Sequence, residues 1–387
     1  MELMMVAGEA SGDGHAAELA AELRARHPEL HIFGCGGEKM AAAGCELLVD
    51  ARELSVMGLA EVVRHLPRLR RHWNVLKMAM LKRRPAGVVL VDFPDFNLRL
   101  AREAGRHEIP VAYFISPQVW AWRSGRVRQI RRDVTTMICI FPFEKAYYAQ
   151  NGIAVAAVGH PLVERIERLR PTLPPRESRL VALMPGSRER EVRLHLPVML
   201  EAAMDMNRRH GCRFVLPIAP AIPAAAVQDQ IPRGLRPFVH VVGSADHYAR
   251  LAAAELAIVA SGTATVEAAL LDVPMIVVYR LAALSYAIGR RIVKAPHVAM
   301  VNLIAGRAVV PELIQEQMTA SNIATWAGRL LEGGEGRQQM LEDLAEVRRR
   351  LGESGAIGRT ADEIERVILA EPGGGGGTQR GQASRLY

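Results

Sequence analysis

Short apolar runs, each closed by Gly, Pro or Asp and followed by an Ala/Leu-rich stretch of helical periodicity, recur along the chain. This is the rhythm of βα units, in which a buried parallel strand reads as a continuous apolar run and its crossover helix as a longer amphipathic one. The runs predict strands at 3–7, 31–33, 88–91, 111–115 and 137–140 in the first half, and at 180–184, 214–218, 238–242, 256–260 and 275–279 in the second. Between the two sets, Pro171-Thr-Leu-Pro-Pro175 is too stiff for a helix and reads as a linker. The expected fold is α/β, with two Rossmann-like doubly wound lobes and a ligand cleft outside the carboxyl ends of both sheets. The boundaries are a first lobe over 1–170, a second over 171–335, helices over 336–372, and a flexible Gly-rich tail over 373–387. The charged run 342–350 reads as a solvated helix face.

Composition narrows the class without choosing the chemistry. In 387 residues, 50% are hydrophobic and 23% charged, a globular balance. The net charge of +8 favours anionic partners, whether phosphorylated metabolites, nucleic acid or an acidic membrane face. Cys35, Cys45, Cys139 and Cys212 form no CxxC pair and no zinc-type spacing, so they read as reduced thiols of a cytoplasmic protein, and no metal is expected. The N-terminus lacks the pattern of a signal peptide. No apolar run is long enough to span a bilayer, so any membrane contact is expected to be peripheral.

Four loops carry candidate chemistry. Leu183-Met-Pro-Gly-Ser-Arg188 is a strand breaking at Pro-Gly into a helix start. There unpaired N–H groups and a glycine (Gly186) suit a phosphate, with a hydroxyl from Ser187 and a fork from Arg188. Ala260-Ser-Gly-Thr-Ala-Thr-Val-Glu267 is a second such turn, with Ser261, Gly262 and Thr263 at the helix start and Glu267 one turn inside, placed to grip a ribose diol. Together they suggest a nucleoside diphosphate. Neither spells a P-loop, and Gly8-Glu-Ala-Ser-Gly-Asp-Gly14 does not spell GxGxxG, which weakens kinase and dehydrogenase readings.

In the first half, Asp92 directly follows a buried strand, the position from which a carboxylate can serve as general base; Asp95 and Asn97 could equally cap the next helix. Ser116-Pro-Gln-Val-Trp-Ala-Trp-Arg123 sets Trp120 and Arg123 beside each other, able to stack on a sugar or to form a packed corner. Between Val62 and Val91 there is no acidic residue, while Arg64, Arg68, Arg70, Arg71, Lys77, Lys82, Arg83 and Arg84 alternate with apolar residues including Trp73. That mixture suits an anionic lipid surface, and equally an amphipathic helix packed on its own sheet.

The loops Gly8-Glu-Ala-Ser-Gly-Asp13, Val56-Met-Gly58, Asp92-Phe-Pro-Asp-Phe-Asn97, Ser116-Pro-Gln-Val-Trp-Ala-Trp-Arg123, Phe141-Pro-Phe-Glu-Lys145, Pro185-Gly-Ser-Arg188, Ser261-Gly-Thr-Ala264 and Asn302-Leu-Ile-Ala-Gly-Arg307 follow one another as in the lipid-A-disaccharide synthases, which the chain resembles from Gly8 to about Arg307. The resemblance implies a family-19 glycosyltransferase of GT-B type, inverting and free of metal or other cofactor. It would join UDP-2,3-diacylglucosamine to 2,3-diacylglucosamine 1-phosphate (lipid X), giving a β(1→6) disaccharide 1-phosphate and UDP in the lipid A pathway of Gram-negative bacteria. It further implies Asp92 as base for the 6-hydroxyl, and Arg188 and Asn302 as UDP contacts. The general GT-B pattern adds Ser261, Gly262, Thr263 and Glu267 at the nucleotide, beside the Gly186 and Ser187 of the first turn. Glu9, Ser11, Gly12 and Asp13, with Trp120 and Arg123, would face the acceptor or donor sugar.

Substrates carrying two acyl chains each seldom leave a bilayer, since each buried CH₂ contributes about 0.8 kcal/mol. The stretch 62–84 would then attach the enzyme peripherally to the inner membrane. Rival readings are another GT-B enzyme of UDP-sugars, either a UDP-GlcNAc epimerase or a peptidoglycan-type transferase, and a nucleic-acid-binding protein. The last is disfavoured by an aromatic content of only 5%. Oligomeric state is not legible.

Overall fold

The computed structural model describes residues 1–54, 59–117, 119, 125–219, 222–281 and 296–369, with residues 10, 11 and 59–66 described by their backbone alone. Two parallel sheets organise the chain. The first contains β1 (Glu2–Ala7), β2 (His31–Gly36), β3 (Glu46–Asp50), β4 (Val88–Val91), β5 (Val111–Phe114), β6 (Thr136–Cys139) and β7 (Val155–Ala157), in the order β3-β2-β1-β4-β5-β6-β7. The second contains β8 (Glu177–Met184), β9 (Arg213–Pro217), β10 (Val239–Val242), β11 (Ala254–Ala260), β12 (Met275–Tyr279) and β13 (Glu312–Ile314), in the order β10-β9-β8-β11-β12-β13.

All ten strands expected from the apolar runs are present. The three that were not expected, β3, β7 and β13, each lie at a sheet edge. Edge strands bury fewer side chains and so lack the continuous apolar run that marks a central parallel strand.

In each sheet the chain winds outward from a central strand and then reverses. The reversals fall between β1 and β4 and between β8 and β11. At such a switch point the loops leaving neighbouring strands diverge and open a crevice. The loops leaving these four strands begin at Gly8, Asp92, Pro185 and Ser261, so these four motifs sit on a crevice for a topological reason.

The lobes exchange helices. The helix Pro161–Leu169 buries Leu162, Val163 and Ile166 in the core of the second sheet, although it precedes the Pro-rich linker. The helix Glu335–Arg350 also belongs to that core, through Met340, Leu344 and Val347. By contrast, Ala356–Ile364 returns to the first lobe, where Ile357, Ala361 and Ile364 pack with Leu19 and Leu23. The expected boundary at 170/171 thus lies one helix beyond the first crossing, because an amphipathic helix joins whichever sheet its apolar face can cover. The two crossings run side by side, with His160 N–H donating to Leu351 O at 3.0 Å.

Candidate active site

The turn after β4 carries the strongest local constraint. Asp92 and Phe93 both hold left-handed backbone, at φ 49° and 48°, a conformation that non-glycine residues keep only when surroundings impose it. Here the Tyr113 hydroxyl donates to Asp92 O at 2.6 Å and the Asn97 amide donates to the same oxygen at 2.8 Å. The Asn97 amide also faces the carbonyls of Val91, at 3.2 Å, and Val6, at 3.4 Å. Asn97 is therefore an internal brace within the helix Pro94–Arg106 and not a cap, while Asp95 pairs with Arg126. Phe93 lies against Gly8, where a Cβ would come within 2.2 Å of the ring. This contact couples the Gly8–Asp13 motif to the Asp92 motif.

Asp92 is pushed up to about 6, first by burial and then by the Glu9 carboxylate, against the lowering effects of the Phe93 N–H and of Arg188. Glu9 and Arg188 meet across the cleft, with Arg188 Nη2 3.1 Å from Glu9 Oε2. The structure thus gathers a base candidate, a neighbouring carboxylate and a guanidinium from two separate sheets. A carboxyl group held near 6 is ionised at neutral pH and still basic enough to accept a hydroxyl proton.

The rear half of the cleft is less uniform than its sequence suggests. At the start of the helix Thr263–Leu270, Gly262 has φ 150° and open space where its Cβ would be. The Gly262 and Thr263 N–H groups have no partner among the described residues. Ser261 Oγ donates to Val298 O at 2.8 Å. Glu267 accepts from His247 Nε2–H at 2.8 Å and from the Tyr248 hydroxyl at 3.3 Å, which fixes its carboxylate. The start of the helix Glu189–His210 differs, because the Ser187 and Arg188 N–H groups already donate to Glu191. An anion approaching this turn finds the Ser187 and Arg188 N–H groups already spent and meets the Arg188 side chain.

Several expected contacts take other places. Asn302 is fully buried, its Oδ1 accepting from Val309 and Val310 N–H and its Nδ2 donating to Val310 O and Glu312. Its side-chain donors and acceptors are thus all turned toward Val309, Val310 and Glu312 within the protein. Asn302 thereby steadies Glu312, which accepts from the Val298 and Ala299 N–H groups beside Ser261. Asp13 is buried and accepts from Gly37, Lys39 and Met40 N–H, capping the helix Glu38–Ala42. Gly12 is packed against Ala7 and the Val91 carbonyl. Ser11 is described by its backbone, within the helix Ala10–Arg26, and Trp120, Arg123 and the Val56–Gly58 motif lie outside the described residues. His15 and His160, given no role above, are buried edge-on 6.4 Å apart, and burial holds both down at about 3, hence neutral.

Sequence reasoning missed Glu191, Tyr113, His247 and Tyr248. Glu191 had a legible signal, since a Glu three residues past a helix N-cap commonly turns back onto the cap. The other three come from distant strands and helices and had none.

Among known proteins, the family model described as lipid-A-disaccharide synthetase matches residues 3–361. The lipid-A-disaccharide synthase of Myxococcus xanthus (strain DK1622) is 45% identical over 383 residues, covering 96% of this chain and 98% of that protein. That of Solibacter usitatus (strain Ellin6076) is 41% identical over 95% of this chain and 97% of its own. Solved structures share the fold at lower identity. UDP-GlcNAc 2-epimerase from Neisseria meningitidis bound to UDP-GlcNAc has a TM-score of 0.61 at 13% identity, covering 95% of this chain and 100% of its own. The calicheamicin glycosyltransferase CalG4 has 0.61 at 16%, covering 96% and 99%. The two lobes thus have the GT-B arrangement, and a match that runs through both of them and through every loop of the cleft assigns this chain to the lipid-A-disaccharide synthase family.

Proposed function

We propose that the disaccharide-forming reaction of this family runs here as a single displacement across the interlobe cleft, the first lobe activating the alcohol and the second holding the departing UDP. Asp92 takes the proton of the acceptor 6-hydroxyl. The oxygen forms a bond to the anomeric carbon of UDP-2,3-diacylglucosamine as the bond to the UDP oxygen breaks, and that electron pair leaves with UDP. Base and leaving group on opposite walls suit attack from the face opposite the departing group, hence inversion. Arg188 and the open helix start at Gly262 and Thr263 would neutralise the diphosphate, with Glu267 accepting from the ribose hydroxyls. The observation that carries this reading is the Arg188–Glu9 contact across the cleft, with Asp92 electrostatically linked to both. Purified protein given UDP-2,3-diacylglucosamine and lipid X should release UDP with formation of the tetraacyl disaccharide 1-phosphate. Turnover of UDP-GlcNAc in its place, with no disaccharide from the diacyl pair, would overturn it.

Membrane attachment follows from the substrates and from one helix. No helix among the described residues is long and apolar enough to cross a membrane. On the helix Leu59–Arg83, Leu76 and Met80 point inward, and Trp73 packs on Phe96 at 5.5 Å, so Trp73 belongs to the core. Three expected cations are engaged: Arg68 by Glu53, Lys77 by Glu103, and Arg83 by Glu46 and Glu2. The side chain of Arg64 is not among those described. Arg70, Arg71, Lys82 and Arg84 remain exposed, with Val75 and Met78 also exposed on the Arg71–Lys82 face. With each cation contributing about 1 kcal/mol at an anionic surface, the Arg70→Gln, Arg71→Gln, Lys82→Gln variant should bind anionic vesicles about 100-fold more weakly. Unchanged sedimentation with such vesicles would remove this face from the reading.

A further inference from the structure

We infer that Glu191 is a positioning residue for the reaction: its carboxylate ties down the Ser187 and Arg188 N–H groups ahead of the helix Glu189–His210 and thereby aims Arg188 into the cleft. The inference rests on the reading of Arg188 as a diphosphate ligand.

The turn Pro185–Arg188 is fixed from two sides. Glu191 Oε2 accepts from the Ser187 N–H at 3.0 Å and the Arg188 N–H at 3.3 Å. Its other oxygen lies 3.6 Å from Arg188 Nη1. One helical turn further on, His195 is fully buried and bridges the loop to the end of β12: its Nδ1–H donates to Pro185 O at 2.7 Å and its Nε2 accepts from Arg280 N–H at 3.0 Å.

Gly186 supplies the room for this arrangement. At φ 125° it takes a backbone that side chains avoid, and a Cβ there would stand 2.5 Å from Glu191 Oε2. The space that a glycine commonly leaves for a phosphate is therefore occupied by the protein's own carboxylate.

Two consequences follow. With the Ser187 and Arg188 N–H groups spent, the diphosphate draws on the Arg188 side chain and on the Gly262 and Thr263 N–H groups, which are unpartnered among the described residues. The Arg188 main chain is tied to Glu191, so its guanidinium reaches from Glu9 to the incoming phosphates by a change of rotamer. A ligand group whose backbone is already fixed loses less freedom on binding. A Glu191 that merely held the place of a phosphate would swing out on UDP binding, but its contacts lie within its own turn and are closed over by Gly186.

The test uses the full chain with UDP as probe. Glu191→Ala should raise the Kd for UDP and the KM for the UDP-sugar at least about tenfold, leaving the lipid X KM unchanged. Glu191→Gln, whose amide oxygen still accepts from both N–H groups, should recover most of that loss. In a double-mutant cycle, Glu191→Ala added to Arg188→Ala should cost little more than Arg188→Ala alone. Tighter UDP binding by Glu191→Ala would show a displaced placeholder and overturn the inference. Losses fully additive with Arg188→Ala, or shared by the lipid X KM, would show a general structural role and overturn it equally. Amide exchange at Ser187 and Arg188 without nucleotide should accelerate in Glu191→Ala, and unchanged exchange would refute the brace. This last readout is independent of whether Arg188 binds UDP, so failure of the nucleotide reading and failure of the brace are separable.

Discussion

Replacing Asp92 with Asn is expected to lower kcat/KM for disaccharide formation by about 10²–10⁴-fold, the range general-base catalysis supplies, while UDP still binds. Asn preserves the shape of the side chain and the hydrogen bonds to its backbone, so the left-handed turn held by Tyr113 and Asn97 should survive. With Asp92 near 6, wild-type kcat/KM should rise with pH through about 6 and level off above it, since the ionised form is the base. The same group gives a stability signature of opposite sense. Its folded pKa is raised, so the stability it contributes is present below the unfolded value, near 4, and is lost as pH rises through about 6. The Asn variant escapes that loss and should be more stable than wild type at pH 8, by on the order of 1–3 kcal/mol, with the gap closing below pH 4. Near-normal turnover in Asp92→Asn would remove Asp92 from the base role.

Arg188→Ala is expected to weaken UDP by about 10–100-fold, the equivalent of losing a charge-assisted hydrogen bond of roughly 1.5–3 kcal/mol. Because the guanidinium also meets charge that grows as UDP departs, kcat should fall as well as affinity. A second effect is diagnostic of the geometry. Arg188 lowers Asp92 and Glu9 raises it, so losing Arg188 should move the acid limb of the pH profile upward, and Glu9→Gln should move it downward. Calorimetry with UDP measures the first effect and pH–rate profiles the second. Unchanged UDP affinity would displace the diphosphate from Arg188, and an unmoved acid limb would show that the two lobes do not share one electrostatic site during catalysis.

The two expectations concern residues that lie far apart in sequence. Asp92 and Arg188 were both legible as single residues at strand-to-helix turns. Their proximity was not, because it depends on how the lobes sit over the helix exchange at 160 and 351. Asn302 shows the converse: the motif containing it was recognised, yet its side chain makes four internal hydrogen bonds that only the return of the chain through Val310 and Glu312 provides. The basic stretch divides likewise. Its charges were countable, but which remain free depended on Glu46, Glu53 and Glu103 arriving from elsewhere.

The sequence by itself determined the α/β class, every central strand, the two-lobed layout and the family, because buried parallel strands and sharp strand-to-helix turns impose local residue choices that survive without tertiary context. Only the tertiary structure decided which of those turns are open to an anion, which polar side chains are spent on internal bonds, and which lobe each bridging helix joins. Hydrogen-bond saturation and burial are properties of neighbours brought together by folding, and an amide such as Asn302 carries no mark in the chain that distinguishes a ligand from a brace.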